Sequence, residues 1–108
     1  MIVAPEGFNF ANRKLIIELN ARYRLPAIYA DFDSASNGGL IQYSFDFAAQ
    51  YGGPIVSYVD RILRGAKPAD LPIQQPAVFT LAINAKTAAT LGLNVPLPLL
   101  AAANEVIE

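Results

Sequence analysis

The chain predicts an α/β fold organised on a parallel sheet. Three observations carry that expectation. Short apolar runs alternate with amphipathic segments of helical period, the first elements fall in strand, helix, strand order, and glycines and prolines stand at the boundaries between them. Met1 to Ala4 reads as the end of a buried strand, and Pro5, Glu6 and Gly7 as the turn after it. From Phe8 to Arg24, apolar residues recur at Phe8, Ala11, Leu15, Leu19 and Tyr23, widened by Ile16, which predicts a helix buried along that face. Arg22 and Arg24 suit its C-terminal dipole, and Pro26 ends it. The run Pro26 to Ala30 has the short, apolar character of a strand covered on both faces, so strand, helix and strand form a βαβ unit with parallel pairing.

Asp31 to Asn37 is read as loop or a single turn, and Gly38 and Gly39 lead into a third strand, Leu40 to Tyr43. A helical segment at Phe45 to Tyr51 should break at Gly52, Gly53 and Pro54, with regular helix restarting near Pro54. In that second helix Ile55, Val56, Val59, Ile62 and Leu63 share one face, predicted to be buried, while Ser57, Asp60, Arg61 and Arg64 share the other. Asp60 is placed to pair with Arg64, and Gly65 to turn left-handed beyond the last turn. Pro68, Pro72 and Pro76 make residues Lys67 to Pro76 a stiff surface strap. Val78 to Asn84 alternates as a strand, Asn84 caps a helix through Leu91 that stops at Gly92, and a last helix spans Pro98 to Asn104.

Composition narrows function. With 108 residues the chain is at most one domain, so residues 1–108 are expected to form a single compact unit with the strap at 67–76. It is 54% hydrophobic and 16% charged, with mean hydropathy +0.33, which excludes a disordered chain. Eight basic residues against nine acidic ones offer no basic field for nucleic acid or anionic lipid. The absence of Cys and His removes thiolate nucleophiles, disulfides, zinc sites and imidazole acid–base catalysis, so we expect no enzyme, no metal and no cofactor. The N-terminus does not read as a signal peptide, and the longest apolar stretch, Val95 to Ala103, contains Pro96 and Pro98 and is too short to span a bilayer.

The run "YVDRILRGAKPADLPIQQPAVFTLAINAKTAATLGLNVP", continuing to "LLAAANEVIE", resembles the C-terminal part of the ABC-transporter substrate-binding proteins that include tryptophan- and tyrosine-type uptake components. "RLPAIYA" (Arg24 to Ala30) and "GGLIQYS" (Gly38 to Ser44) fit the same family in order and spacing, whereas Gly52, Gly53 and Pro54 stand where such proteins usually carry helix-forming residues. The resemblance implies a type I periplasmic-binding-protein-like fold, of which this chain supplies the C-terminal elements, with the strap as a crossing between lobes. It further implies a small-molecule ligand such as an amino acid, an ABC permease as partner and an extracytoplasmic location.

Ligand-binding residues in α/β sheets lie beyond the C-terminal ends of parallel strands. That rule selects Glu6, Phe8 and Asn9 after the first strand, Asp31 and Phe32 after the second, and Tyr43 and Ser44 after the third. Competing structural roles stand beside each: core packing or a staple for Phe8, turn formation or capping for Asp31 and Asp33, and filling a core edge for Tyr43. Asn84 to Thr87 is read as a helix cap with a solvated Lys86 rather than a phosphate site, because no glycine-rich loop accompanies it. The apolar strands outnumber the helices available to cover them, which predicts a two-fold homodimer. The alternative to a transport component is therefore a stand-alone, self-associating interaction or sensor module of the same fold.

Overall fold

The computed structural model describes residues 1–108 as two compact units, Met1–Ser44 with Thr80–Glu108, and Phe45–Phe79. A five-stranded sheet runs in the order β1 (Ile2–Val3), β2 (Ile28–Tyr29), β3 (Ile41–Phe45), β4 (Phe79–Asn84), β5 (Glu105–Ile107). The division between units falls after Ser44 and before Thr80.

Parallel pairing holds where the βαβ spacing predicts it. Ile2 pairs with Ile28 and Val3 with Tyr29, and β3 continues the rows with Ile41 and Gln42. β4 and β5 are also parallel, Ile83 facing Val106. Between β3 and β4 the direction reverses: the Asn84 N–H donates to the Leu40 carbonyl at 2.9 Å, and Thr80 Oγ1 donates to the Ser44 carbonyl at 3.4 Å. Numbers rise along one strand as they fall along the other, so the sheet is mixed.

The predicted helix at Phe8 to Arg24 is two helices, α1 (Gly7–Ala11) and α2 (Arg13–Arg22). Asn12 interrupts them with φ −103° and ψ 12°, its side-chain amide donating to the Phe8 carbonyl at 2.9 Å in competition with the backbone. The buried face is not the predicted one. Leu15, Leu19 and Tyr23 are exposed, while Ile17 and Asn20 are buried and Arg13 and Ile16 half-buried, the i, i+3, i+4, i+7 stripe next to it. Two polar residues join this stripe because each finds a partner, Asn20 in the Tyr29 hydroxyl and Arg13 in Asp33. Ile17, Ala27 and Tyr29 form the core beneath α2, with Val3 and Ile16 packed on its margin. β2 is consequently covered on one face only, Ala27 and Tyr29 inward and Ile28 outward.

After α2 the chain turns at Arg24, a non-glycine residue at φ 52°, with the Leu25 N–H bonded back to the Asn20 carbonyl at 2.8 Å. The cap at Asn84 forms as predicted: its side-chain oxygen accepts from the Thr87 N–H at 2.8 Å, opening α5 (Ala85–Leu91), which ends on Gly92 at φ 72°. The same side chain donates to the Ala35 carbonyl at 2.9 Å, so one buried amide ties β4, α5 and the loop after β2 together. α6 (Leu97–Ala102) is shorter than predicted. Asn104 leaves the helix to bracket Leu81, donating its N–H to the Leu81 carbonyl and accepting the Leu81 N–H on Oδ1, both at 2.8 Å, and so starts β5.

In the second unit Asp46 caps α3 (Phe47–Gln50), its carboxylate accepting from the Ala49 N–H at 2.9 Å. Residues Tyr51–Ile55 form a π-helical turn, which runs directly into α4 (Val56–Leu63). The expected break at Gly52, Gly53 and Pro54 is absorbed by this widening, since a π turn accommodates the N–H that Pro54 lacks. The Asp60–Arg64 ion pair forms at 2.9 Å, and Gly65 turns at φ 99°, with the Ala66 N–H reaching the Arg61 carbonyl at 2.9 Å. The apolar face of α4 is exposed rather than buried, Leu63 at 82%. The strap opens with a 3-10 turn at Pro68–Asp70 and is then extended, held where the Tyr58 hydroxyl donates to the Pro72 carbonyl. No helix of the chain is long and apolar enough to cross a membrane.

Candidate ligand-binding site

The parallel register decides which predicted residues meet. Val3, Tyr29 and Gln42 lie in one row, so the segments that follow them emerge at one edge of the first unit. Glu6 is the extended residue before α1, and its carbonyl accepts from the Phe10 N–H at 2.9 Å. Asn9 ties the first turn of α1 back to the strand end by donating Nδ2 to the Ala4 carbonyl at 3.0 Å. Phe8, 73% exposed, is no core residue. At five residues, α1 is too short to present the dipole of the long helix expected here.

Asp31 holds the turn after β2. One carboxylate oxygen accepts from the Ser34 N–H at 3.0 Å and the other from Ser34 Oγ at 2.5 Å, the arrangement of a capping aspartate. Next to it, Phe32 is exposed and leans on Phe10. Tyr43 and Ser44, adjacent on β3, point to opposite faces. The Tyr43 ring is exposed on the face that carries Ile28, whereas Ser44 is 7% exposed, and its Oγ is buried without a hydrogen-bond partner. The edge therefore gathers Glu6, Phe8, Asn9, Asp31 and Phe32, and it separates Tyr43 from Ser44.

Phe10 and Arg13 belong to this edge and are absent from the sequence-based selection. Their signal is weak but readable: Phe10 follows two residues after Phe8 in the segment that leaves β1, and Arg13 follows one helical turn later. Beside the edge, a cleft of about 360 Å³ is walled by Ile2, Val3, Ile16 and Leu19, with Asn9 at its rim. The second unit has a cleft of the same size, lined by Asp46, Gln50, Gln74, Gln75 and apolar side chains including Pro54 and Val78. No three acidic side chains come together as a metal site.

The strand-end edge thus carries exposed aromatic rings, carboxylates and an amide. The family described as ABC transporter substrate binding protein matches residues 3–107, and the chain belongs to that family. No curated protein matches it. Among solved structures it is similar to a conserved domain protein from Vibrio cholerae, with 25% identity and a TM-score of 0.86 over 97% of this chain and 34% of that one. An ABC domain from Streptococcus pneumoniae in complex with L-Trp is equally similar, with 25% identity and a TM-score of 0.86 over 98% of this chain and 36% of that one. A ligand-free, open substrate-binding protein with adhesive properties from Clostridium difficile shares the fold at 16% identity and a TM-score of 0.66, over 98% of this chain and 35% of that one. The chain spans about a third of the length of each of these structures.

Proposed function

We propose that the chain is part of the solute-binding component of an ABC importer, acting outside the cytoplasm with a permease and without catalysis of its own. Its solute is a small amphipathic molecule of amino-acid type, contacted by Glu6, Phe8, Asn9, Asp31 and Phe32. The family match across residues 3–107 carries this reading. The aromatic and polar character of the strand-end edge and the L-Trp complex of a similar protein agree with it. Titrating the 15N-labelled chain with L-tryptophan, L-tyrosine and L-leucine tests it. We expect amide shifts at the edge residues with weak affinity, because strong capture in such proteins requires closure of a second lobe. Shifts confined to other surfaces, or none, would overturn the assignment, and a low-micromolar dissociation constant would show the site to be complete in this chain.

A second reading, a self-associating interaction or sensor module that forms a homodimer, is favoured by one observation. The outward row Ile2, Ile28 and Ile41, with Tyr43 following, leaves a parallel sheet face partly uncovered, and such sheets are ordinarily buried on both faces. The second reading keeps the fold without uptake function, and so differs from the first in having no part in transport.

A further inference from the structure

Phe32 is backed by a chain of contacts that returns to its own loop. Its ring centroid lies 5.5 Å from that of Phe10, with the planes inclined by 42°. The Arg13 guanidinium carbon sits 4.5 Å from the Phe10 centroid. Arg13 is held from two sides, Nη1 donating to the Phe10 carbonyl and Nη2 to Asp33 Oδ2, each at 3.1 Å. Asp33 is anchored by its own loop, its carbonyl accepting from Ser36 Oγ at 2.9 Å and from Asn37 Nδ2 at 2.7 Å. The order Asp33, Arg13, Phe10, Phe32 thus starts and ends in the turn after β2, passing through α2 and α1.

We propose that Arg13 is a positioning residue for this aromatic wall and thereby a determinant of which solutes the edge accepts. The inference rests on the reading of Phe32 as a ligand contact. A cation over a ring face is attracted to the ring quadrupole, so the guanidinium fixes the plane of Phe10, and the tilted pair fixes Phe32 against it. A planar aromatic solute gains from a wall whose orientation is set beforehand, because it then loses no ring freedom on binding. An aliphatic solute makes non-directional contacts and is nearly indifferent to ring orientation. The ion pair also has reserve. Arg13 Nε and Asp33 Oδ1 are both buried and neither has a hydrogen-bond partner, so the planar fork engages the carboxylate through one prong only. The unpartnered Nε–H is therefore a local reporter at the base of the wall, sensitive to the ring current of an aromatic solute stacked on Phe32.

The test is NMR titration of the labelled chain with L-tryptophan and L-leucine, in the wild type and in Arg13→Met, Arg13→Lys and Asp33→Asn. Arg13→Met should weaken L-tryptophan binding by about 2-fold to 5-fold, the span of an exposed cation–π contact, and leave L-leucine unchanged. Arg13→Lys, which keeps the charge without the planar fork, should restore part of the preference. In the wild type the Arg13 Nε–H resonance should move on addition of L-tryptophan and stay in place with L-leucine. Equal losses for both solutes, or an unchanged ratio, would overturn the inference while leaving the site intact. Should Arg13→Met fail to fold by circular dichroism, Asp33→Asn decides by the same ratio. A wild-type chain that responds to neither solute overturns the site assignment itself, and the role of Arg13 with it.

Discussion

Asn20 donates its side-chain amide to the Tyr29 hydroxyl at 2.8 Å, and both residues are buried between α2 and β2. This bond explains how a helix presents a polar residue to the core. Tyr29→Phe would leave the Asn20 amide buried without an acceptor, at a cost of about 1–3 kcal/mol. Urea denaturation should show a lower midpoint with an unchanged slope. Asn20→Leu in the Tyr29→Phe background should recover part of the loss, because the bond is then removed from both sides.

The same tyrosine makes stability fall at high pH. Burial, opposed by the Asn20 bond and reinforced by the nearby negative Asp31, raises the Tyr29 pKa above the ordinary value of 10.0. The unfolded chain therefore releases the phenolic proton first, and the folded state keeps it over the interval up to its own higher pKa. The stabilisation is fully present below the unfolded value and is lost as pH rises through the folded one. Wild-type stability should decline above about pH 10 by an increment that Tyr29→Phe lacks, measured from urea midpoints as a function of pH.

Close approach at Gly39 gives a backbone prediction. A Cβ there would lie 2.8 Å from the Ser34 carbonyl and 2.9 Å from the Tyr29 ring, so Gly39→Ala forces the turn off the core and should cost about 1–3 kcal/mol. Gly7→Ala is the control: nothing lies within 4 Å of its Cβ position, and helix propensity should make it neutral or stabilising by up to about 1 kcal/mol. Arg24→Gly has the opposite sign to Gly39→Ala. Arg24 holds φ 52°, where glycine is free of the Cβ penalty of roughly 1–2 kcal/mol, so the variant should melt higher than the wild type. Thermal unfolding followed by circular dichroism ranks the three.

What could be read in advance was local. Asn84 as a cap, Gly92 and Gly65 as left-handed stops, and the Asp60–Arg64 pair each depend on residues within about a helical turn, and all four form. Burial of Asn20 and Arg13 depends on Tyr29 and Asp33, 9 and 20 residues away, so a periodicity argument that ranks residues by hydropathy chose Leu15 and Leu19 instead. β5 carries no local signal because its three residues, Glu105 to Ile107, become a strand only through Asn104 and the pairing of Val106 with Ile83. At the candidate site, strand-end logic selects residues that follow β1, β2 and β3, and the parallel register places those after β1 and β2 at one edge. Phe10 and Arg13 escape that rule because Phe10 joins the edge through its contact with Phe32, and Arg13 through its contact with Phe10, not through position after a strand.

Tyr58 is the strap's side-chain anchor, its hydroxyl donating to the Pro72 carbonyl. Proline stiffness restricts the strap's own conformations but does not attach it to α4, so Tyr58→Phe should free residues 71–75 with little change in global stability. Backbone 15N order parameters at Ile73, Gln74 and Gln75 should fall, while hydrogen exchange in α4 keeps its protection. Accelerated exchange in α4 would show that the strap and helix open together.

The uncovered sheet face gives a prediction of self-association. Ile2 is 80% exposed, Ile28 lies beside it in register, and Tyr43 continues the outward surface on β3. Each 100 Å² of apolar area removed from water contributes about 2.5 kcal/mol before the cost of association, so a few such side chains from each of two copies offset a substantial part of that cost. A two-fold arrangement lets the same row meet itself and closes the assembly. Sedimentation equilibrium at tens of micromolar should give twice the 11.6 kDa mass of the chain. Ile28→Thr keeps a β-branched strand residue while making the outward face polar, and it should shift the equilibrium towards monomer with the circular dichroism spectrum preserved. A wild-type species at the mass of a single chain across the concentration range would remove the dimer, and the second functional reading with it.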